Sequence, residues 1–443
     1  MSVERVLLLA TTTGYQTRSF GEAAERLGVE LVFATDRCQV LDDPWSDHAI
    51  PIHFFDEAGS VAAIVDALRD RPVDGVLAVG DRPTVLAAGV AEVLGLPGHP
   101  PQAAAIARNK QLTRECLRAA GLPVPAFVRF PITEDATSLA TQVGFPCVVK
   151  PIALSGSRGV IRADTPGELA RAIDRLRALL QTPEVRAERD ELHQHALVER
   201  FIPGREYAVE ALVDRGETHL LAVFDKPDPL DGPFFEETLY ITPSGVPERV
   251  QQGIVRAVTE TARAIGLRHG PVHAECRVND EGVFVLEAAA RPIGGLCARS
   301  LRFSRHEEDV GTHGHDSGDA TISLEELLLR HALGESPLRY RREAGASGVM
   351  MIPIPRRGVL RGVNGITAAR AVPHIVDIRI TAKTDQILVP LPEGASYLGF
   401  IFTRAATPAL VERSLRDAHA QLSFAIDPEF PVTQRPQRAQ RPR

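Results

Sequence analysis

The chain has 443 residues, of which 44% are hydrophobic and 24% charged, and its formal net charge is −7. This length is too great for one core and predicts about three domains with the composition of a soluble globular protein. The charge argues against nucleic acid or an anionic membrane as the main partner, and no spanning apolar run or signal peptide is evident, so we expect a cytoplasmic protein.

The first 100 residues alternate apolar segments of strand length with helical segments. RVLLLA, VELVFAT and VDGVLAV predict strands, and the helices between them predict a parallel, doubly wound sheet. The turn TTTGYQT has one glycine and lacks the dinucleotide fingerprint, and no P-loop motif occurs. Asp81 follows the third strand, where open α/β sheets bind ligands, but capping the next helix explains it equally well.

QAAAIARNKQLTRECLRAAG predicts one amphipathic helix. Strands then flank an ALSGSRG loop, and GPVHAECRV and GVFVLEAAA form a hairpin around Asn279–Gly282. The polar segment 305–321 predicts a mobile loop, in which His313 and His315 are solvated rather than metal ligands. The five cysteines are scattered, which argues against a disulfide framework or a zinc site.

Lysine is almost absent from the chain. Of 50 basic residues only four are lysine, and the retained ones are candidates for sites that need a compact ammonium group. Lys110 opens a helix, while Lys150 and Lys226 end strands. Lys150 precedes Ser155-Gly156-Ser157-Arg158-Gly159, whose small residues let backbone N–H groups approach phosphate oxygens. Alone, this segment is also compatible with an ordinary hairpin turn.

Two further segments place carboxylates on strands. Glu199 and Glu206 flank a Pro-Gly turn, where they could accept hydrogen bonds from adenine and ribose, unless they are solvated charges on a hairpin. Glu275 and Glu287 lie on the two strands of the predicted hairpin. Like charges opposed in this way are destabilising unless a cation joins them, and Mg²⁺ fits. Arg291 follows, where a guanidinium can stabilise charge on a transferred acyl group.

These segments, in this order and spacing, resemble the ATP-grasp superfamily over nearly the whole chain. RNKQLTRECLRAAGLPVP, DKPDPLDGPFFEE and EAAARPIGGLCARSLRF look most like carboxylate–amine ligases of the L-amino-acid (dipeptide) ligase type. The resemblance implies an ATP-grasp fold of class α/β, α+β in its central part. Its predicted units are a pre-ATP-grasp domain (1–121), two ATP-grasp subdomains (122–195 and 196–335), a β-rich C-terminal domain (336–430) and a disordered tail (431–443).

The resemblance also assigns roles to single residues. It implies that the following residues bind ATP: Lys110, Lys150, Ser155, Gly156, Ser157, Gly159, Glu199, Phe201, Ile202 and Glu206. It implies Glu275 and Glu287 as metal ligands. It also implies three catalytic residues: Arg291 near the acyl phosphate, Lys226 in a lysine-containing segment and Glu236 in an acidic loop on the substrate side. Gly294, Gly295 and His273 fall on the substrate side, although His273 could equally be a packed strand histidine.

One position departs from the family pattern. Many ATP-grasp enzymes have asparagine two residues after the second metal glutamate, and this chain has Ala289. Magnesium binding must then use fewer protein ligands.

The resemblance implies an ADP-forming ligase that uses ATP and Mg²⁺, with Mn²⁺ as an alternative ion. Its substrates are a small carboxylic acid and an amine, with neither nucleic acid nor membrane as a partner, and a homodimer would be ordinary. Two alternatives stay open: a ligase that uses formate or bicarbonate, and a nucleotide-binding module without turnover.

Overall fold

The computed structural model describes residues 3–11, 16–36, 49–135, 138–139, 141–142, 144–306 and 321–429. Most of the TTTGYQT turn lies outside these ranges. The predictions for His313, His315 and the 431–443 tail also concern residues outside the described part of the chain.

The N-terminal part forms the predicted doubly wound sheet. Four parallel strands lie in the order β3-β2-β1-β4. Leu7 and Leu9 of β1 pack into one core cluster and Leu8 into another, because both faces of the sheet are covered. The elements are β1 (Arg5–Ala10), α1 (Gln16–Leu27), β2 (Glu30–Thr35), β3 (Ile50–Pro51), α2 (Glu57–Ala67), β4 (Gly75–Val79) and α3 (Pro83–Leu94).

The segment predicted as one helix is two helices, α4 (Pro101–Arg108) and α5 (Lys110–Ala119). Asn109 between them is extended, and its side-chain oxygen accepts hydrogen bonds from the N–H groups of Gln111 and Leu112 at 3.0 and 3.1 Å. Asparagine at this position satisfies N–H groups that a helix start leaves unpaired, so it begins a new helix. The break therefore places Lys110 in the first turn of α5.

A four-stranded antiparallel sheet in the order β5-β8-β6-β7 follows. On it, Val148 pairs with Glu199 and Lys150 pairs with Leu197. Lys150 and Glu199 are therefore diagonal neighbours on one face of the sheet. The elements are β5 (Phe127–Pro131), β6 (Cys147–Pro151), β7 (Ile161–Ala163), α6 (Pro166–Leu180), α7 (Pro183–Ala187) and β8 (His195–Arg200).

An eight-stranded antiparallel sheet occupies the middle of the molecule, in the order β13-β12-β9-β10-β11-β17-β21-β19. The sheet includes strands from both sides of residue 336, the predicted start of the C-terminal domain, because Leu239–Thr242 pairs with Ala346–Ile352. Two three-stranded sheets, β15-β14-β16 and β20-β18-β22, lie beside it. The remaining elements are β9 (Arg205–Asp214), β10 (Glu217–Asp225), β11 (Leu239–Thr242), α8 (Glu248–Ile265), β12 (Gly270–Asn279), β13 (Gly282–Ala289), β14 (Arg302–Arg305), β15 (Ile322–Ser323), α9 (Leu324–Ala332), β16 (Tyr340–Arg342), β17 (Ala346–Ile352), β18 (Gly358–Asn364), α10 (Ile366–Arg370), β19 (Ile375–Ile380), β20 (Ile387–Leu388), β21 (Gly399–Ala405), α11 (Pro408–Ala420) and β22 (Ser423–Asp427).

Among the described helices, none combines the length and the apolar character needed to cross a bilayer. The cysteines in the described part of the chain are free thiols: Cys116, Cys147, Cys276 and Cys297.

Candidate active site

A cavity of about 1180 Å³ lies where the three larger sheets meet, and it brings together most of the residues singled out in the sequence. Those that line it are Lys110, Lys150, Ser155, Gly156, Ser157, Glu199, Phe201, Ile202, Glu206, His273, Glu275, Glu287, Arg291, Gly294 and Gly295. Gly159, Lys226 and Glu236 do not line it.

Two ammonium groups lie at one end of the cavity, beside the Ser/Gly loop. Lys110 Nζ donates to the carbonyl of Leu154 at 2.8 Å and lies 3.4 Å from Glu287 Oε2. Lys150 is buried and its Nζ donates to Glu199. In the loop, Gly156 and Ser157 have φ of 63° and 56°, the left-handed region that a non-glycine residue such as Ser157 seldom adopts.

Arg114, from α5, completes a buried charge cluster with Lys150 and Glu199. Its side chain is fully buried, and Nε and Nη2 donate to the two Glu199 oxygens at 3.0 and 3.3 Å. Nη2 also donates to the carbonyl of Leu286 at 2.8 Å. Burial alone would raise the pKa of Glu199, but Arg114 and Lys150 lower it to about 2. Glu199 is therefore a carboxylate throughout the physiological range and not a solvated surface charge.

An apolar slot lies next to this cluster. Val148, Val160, Phe201 and Phe235 line the cavity and pack in one hydrophobic group, with the two phenylalanine rings stacked at 6.4 Å. The N–H of Phe201 donates to the carbonyl of Pro146 at 2.9 Å, so this particular group is already engaged within the protein. Arg277 also lines the cavity, and its guanidinium lies over both rings at 4.9 and 5.7 Å from their centroids. Apolar side chains with a few polar groups beside them suit an aromatic base.

Lys226 lies beneath the cavity floor and neutralises three carboxylates. Its Nζ is 2.9 Å from Glu206 and 3.1 Å from Glu275, and it also donates to Glu237. Arg277 Nε donates to the other oxygen of Glu206 at 2.9 Å. Burial would lower the pKa of Lys226, but the carboxylates raise it well above its usual range. Lys226 therefore holds these carboxylates in position without lining the cavity itself.

The predicted hairpin places Glu275 and Glu287 directly opposite each other in the β12–β13 ladder, next to a bulge. Both line the cavity. Like charges directly opposed on one face are unfavourable unless a cation lies between or beside them. Ala289 is buried two residues beyond Glu287 and offers no oxygen ligand from its side chain. Lys226 lies beside Glu275 and Lys110 beside Glu287, so each carboxylate already faces a cation. Their oxygens are also of the kind that a hard divalent ion takes as ligands.

Arg291 is held by Asp81 from the N-terminal sheet, with Nε donating to Oδ1 at 2.9 Å. Burial would raise the pKa of Asp81, but Arg291 lowers it. The N-cap position of α3 is Arg82, and no side chain caps that helix. Asp81 therefore positions the guanidinium instead of capping the helix.

His273 is both a packed strand residue and part of the cavity wall. Its Nδ1 lies 3.1 Å from Glu210 Oε2, and Nε2 lies 3.6 Å from Glu275 Oε1. Burial would lower the pKa of His273, but Glu210 and Glu275 raise it to about 9. Glu210, which is fully buried, also accepts from the N–H of Ile293 at 3.0 Å and so anchors the turn that leads to Gly294.

Three family models match the chain in order. They are the ATP-grasp N-terminal domain at residues 21–98, the ATP-grasp domain at 143–300 and the L-amino acid ligase C-terminal domain 2 at 350–427. An uncharacterised protein of Sinorhizobium fredii is 24% identical over 434 residues, which cover 96% of this chain and 84% of that protein. A D-alanine–D-alanine ligase of Acidovorax ebreus is 30% identical over 270 residues, 59% of this chain and 73% of the ligase.

The chain belongs to the ATP-grasp family. The crystal structure of an L-amino acid ligase from Bacillus licheniformis superposes with a TM-score of 0.76 at 25% identity, and covers 96% of this chain and 100% of that one. The predicted fold class is thereby confirmed, and so is the predicted class of enzyme, an ATP-dependent carboxylate–amine ligase.

The site of this ATP-grasp ligase contains residues that sequence reasoning missed. Arg114 lies in a helix rich in charged residues, and Glu210 lies in an apolar strand, so neither stands out in a motif. Glu237 lines the cavity and contacts Lys226, whereas the predicted Glu236 is its neighbour in the chain. Gly159 donates its N–H to the carbonyl of Pro392 at 2.8 Å and connects the loop to the C-terminal part.

Proposed function

We propose that this enzyme activates the carboxylate of an amino acid or related acid as an acyl phosphate and joins it to the amino group of a second amino acid. ADP and phosphate are the other products. One observation carries the proposal: Lys110, Lys150, the Glu275–Glu287 pair and Arg291 come from separate parts of the chain and line one cavity.

For the nucleotide, we assign the base to the apolar slot of Phe201 and Phe235. The backbone of Phe201 and Ile202, which line the cavity, would meet the edge of the base, and Glu206, whose two oxygens accept from Lys226 and Arg277, would face the ribose hydroxyls. Lys110, Lys150 and the 155–157 loop hold the phosphates. Ammonium groups beside a glycine-containing loop are suited to this task because they offer point charges and backbone donors together.

Glu275 and Glu287 would hold Mg²⁺, with Mn²⁺ as the alternative ion. When bound, the ion supplies charge neutralisation at the phosphate oxygens. Lys110, 3.4 Å from Glu287, sits where it can bridge that carboxylate and a phosphate oxygen. The buried Lys226 keeps Glu275 ionised, since it contributes to lowering the pKa of Glu275 well below its usual range.

The reaction has two displacements. An oxygen of the acid attacks the γ-phosphorus and ADP leaves; the amine nitrogen then attacks the acyl carbon, phosphate leaves and the amine loses a proton. Arg291, fixed by Asp81, lies where it can stabilise the negative charge on the acyl phosphate and on the tetrahedral intermediate. Charge placement supplies most of the rate enhancement in such a reaction, so no protein nucleophile is needed.

Amino-acid substrates are favoured over formate or bicarbonate by the size and lining of the cavity. Its volume exceeds the roughly 300–1,000 Å³ usual for a single ligand. Beyond Arg291, apolar side chains from the C-terminal part, Met351, Tyr397 and Phe400, line it. The names of the two characterised relatives also specify amino acids. The unit boundaries, a cytoplasmic location and a homodimer remain predictions from sequence.

The test is a phosphate-release screen with MgATP and pairs of amino acids. We expect release only when an acid and an amine are both present, and a product with the mass of the condensed pair. Release that responds to formate or bicarbonate alone would overturn the amino-acid assignment. Nucleotide binding without turnover across the panel would indicate a binding module.

A matched pair of variants tests the metal assignment. Glu287→Gln removes one carboxylate of the pair, and we expect a loss of about 100-fold or more in turnover with a higher Mg²⁺ requirement. Glu281→Gln changes an exposed glutamate in the same hairpin turn and should leave turnover unchanged. Full turnover by Glu287→Gln would contradict the role.

A further inference from the structure

A second group of potential ligands lies at the other end of the central sheet. Asp214 is the last residue of β9, His269 directly precedes β12, and His331 lies in the last turn of α9. Glu206, at the cavity, is eight residues before Asp214 on the same strand, which corresponds to about 27 Å at the usual rise per residue. The group is therefore separate from the ATP-grasp site.

The spacing of the three side chains is that of metal ligands. Asp214 Oδ1 lies 3.3 Å from His269 Nδ1 and 3.5 Å from His331 Nε2, and the three ligand atoms lie within 4.8 Å of one another. Ligands at about 2.0–2.1 Å from a tetrahedral zinc ion are about 3.3 Å apart. Direct N–H···O hydrogen bonds are shorter, about 2.7–3.2 Å. The oxygen is thus close enough to share an ion with both nitrogens. A ring nitrogen binds a metal in the plane of its ring, so one of the two rings, which stack at 4.0 Å, has to rotate for both to bind.

The histidine nitrogens also lack well-formed hydrogen bonds. Both rings interact with Asp214, but among the described residues no hydrogen bond of normal geometry reaches either ring nitrogen of His269 or Nε2 of His331, although all three atoms are buried. The His331 side chain is only 2% exposed, and its ring stacks on that of His269 at 4.0 Å. Buried polar atoms normally have a binding partner, so three such nitrogens close together indicate that a partner is missing.

His99, nearby in the same region, shows the contrast. Its Nε2 lies 3.2 Å from the carbonyl of Pro271, and its Nδ1 accepts from the N–H of Arg268 at 3.1 Å. Both of its nitrogens are therefore engaged by the protein, and His99 serves a packing role. Among the described histidines, His193 Nδ1 also lacks a hydrogen bond, but His193 Nε2 lies 3.1 Å from Glu188, whereas His269 has no hydrogen bond of normal geometry at either nitrogen.

We propose that Asp214, His269 and His331 bind one transition-metal ion, with Zn²⁺ as the best match. Two imidazoles and one carboxylate favour Zn²⁺, Co²⁺ or Ni²⁺ over the hard ions Mg²⁺ and Ca²⁺. Water can take the fourth position, because Asp214 and His269 are partly exposed, with 19% and 11% of their side chains accessible.

The ion would fasten α9 to the central sheet. α9 packs against α1 and β4 of the N-terminal part as well as against β12. A metal clip at its last turn would therefore stabilise the junction between the N-terminal sheet and the ATP-grasp sheet. This role is structural and independent of the proposed ligase reaction.

The test uses the tag-free full chain, stripped with a chelator and free of nucleotide. Zn²⁺ alone is titrated by calorimetry, and Co²⁺ is titrated by visible absorption. We expect one tight equivalent of Zn²⁺ with a rise in Tm, and cobalt bands typical of nitrogen and oxygen ligands in four- or five-coordination. His269→Gln and His331→Gln should each lose that equivalent and the rise in Tm.

Two controls separate the site from others on the chain. His195→Gln removes a histidine from another sheet, and Glu287→Gln alters the ATP-grasp carboxylates; both should keep the tight equivalent. Circular dichroism checks that each variant folds. If His331→Gln does not fold, the variant of the more exposed histidine, His269→Gln, decides the test. Equal zinc stoichiometry in wild type and His269→Gln, or no tight binding by wild type, overturns the proposal. Because the readout is binding, the result does not depend on ligase activity.

Discussion

Three of the four lysines hold carboxylates or carbonyls at the cavity, and the fourth, Lys383, is exposed. Lys150 and Lys226 are buried. A planar guanidinium would not fit in either place without displacing a neighbouring group. In a chain whose basic residues are mostly arginine, we attribute the lysine at these positions to the closer approach that a compact cation makes to carboxylate oxygens and, for Lys150, to the proposed phosphate.

Lys150→Arg tests this explanation. Arg114 already occupies one side of Glu199, so a second guanidinium has to move away from the phosphate position. We expect kcat/KM for ATP to fall about 100-fold, the scale of losing one well-placed charge donor. Lys383→Arg, on the surface, is the matched control and should match wild type. Activity of Lys150→Arg within twofold of wild type would refute the argument.

The buried cluster of Arg114, Lys150 and Glu199 also predicts a pH dependence of stability. The pKa of Glu199 falls from its ordinary 4.5 to about 2 in the folded chain. Because the folded value is the lower one, the stabilisation is present above about pH 4.5 and is lost as the pH falls toward 2. Glu199→Gln leaves two buried cations without their carboxylate, at a cost of about 3–5 kcal/mol near neutral pH.

Tm measured from pH 7 to pH 3 checks this prediction. The difference in Tm between wild type and Glu199→Gln should be largest at neutral pH and should narrow below about pH 4.5. Glu115→Gln, an exposed glutamate on α5, should show no such pH-dependent difference. If the difference in Tm between wild type and Glu199→Gln stays constant from pH 7 to pH 3, Glu199 does not titrate with a lowered pKa.

At the scale of elements, the start of α5 determines where Lys110 points. The prediction that Lys110 opens a helix is confirmed, whereas the amphipathic pattern of the whole segment predicted one continuous helix. A local competition decides otherwise, since the Asn109 side chain bonds to two N–H groups and its own backbone becomes extended. Periodicity does not reveal such a break, although asparagine before a lysine-led helix is a known start signal.

Asn109→Ala should weaken both stability and nucleotide binding. The lost cap is worth about 1 kcal/mol, and Lys110 then loses its fixed position. We expect a lower Tm and a several-fold higher KM for ATP. Thr165→Ala removes an equivalent cap from α6, where Thr165 accepts from the N–H of Glu168, and should lower Tm without raising KM. Equal KM effects would show that general destabilisation is responsible.

The sequence predicted the features that depend on residues close together in the chain. It did not predict the contacts that depend on how separate helices and strands pack. The Glu275–Glu287 pair follows from strand alternation and a tight turn, and the ladder has it in that register. The prediction of Glu236 came from the family resemblance, and in the structure its neighbour Glu237 is the residue that contacts Lys226. Arg114 and Glu210 are identified only by the strands and helices that face them.

At the scale of the whole molecule, the C-terminal part contacts the Ser155–Gly159 loop, to which we assign the phosphates. Gly159 donates its N–H to the carbonyl of Pro392, and Arg158 Nε donates to the carbonyl of Glu393 at 2.9 Å. Arg175 pairs with the Glu393 carboxylate. The segment that follows Glu393 also lines the cavity. The phosphate loop is therefore fixed from both sides, by its own sheet and by residues more than 200 positions away.

The burial of these contacts determines how much free energy each one contributes. Arg158 is nearly buried and bonds to a backbone carbonyl, whereas the Arg175 side chain is 44% exposed and pairs with a carboxylate that is itself 33% exposed. Exposed ion pairs contribute about 0–1 kcal/mol. Arg158→Ala removes more, because it leaves a partly buried carbonyl without its donor and also removes two hydrogen bonds to Glu184. We therefore expect Arg158→Ala to raise KM for ATP about tenfold and Arg175→Ala to change it less than threefold, in steady-state kinetics. If Arg175→Ala had the larger effect, the exposed pair and not the buried contact would be what joins the C-terminal part to the phosphate loop.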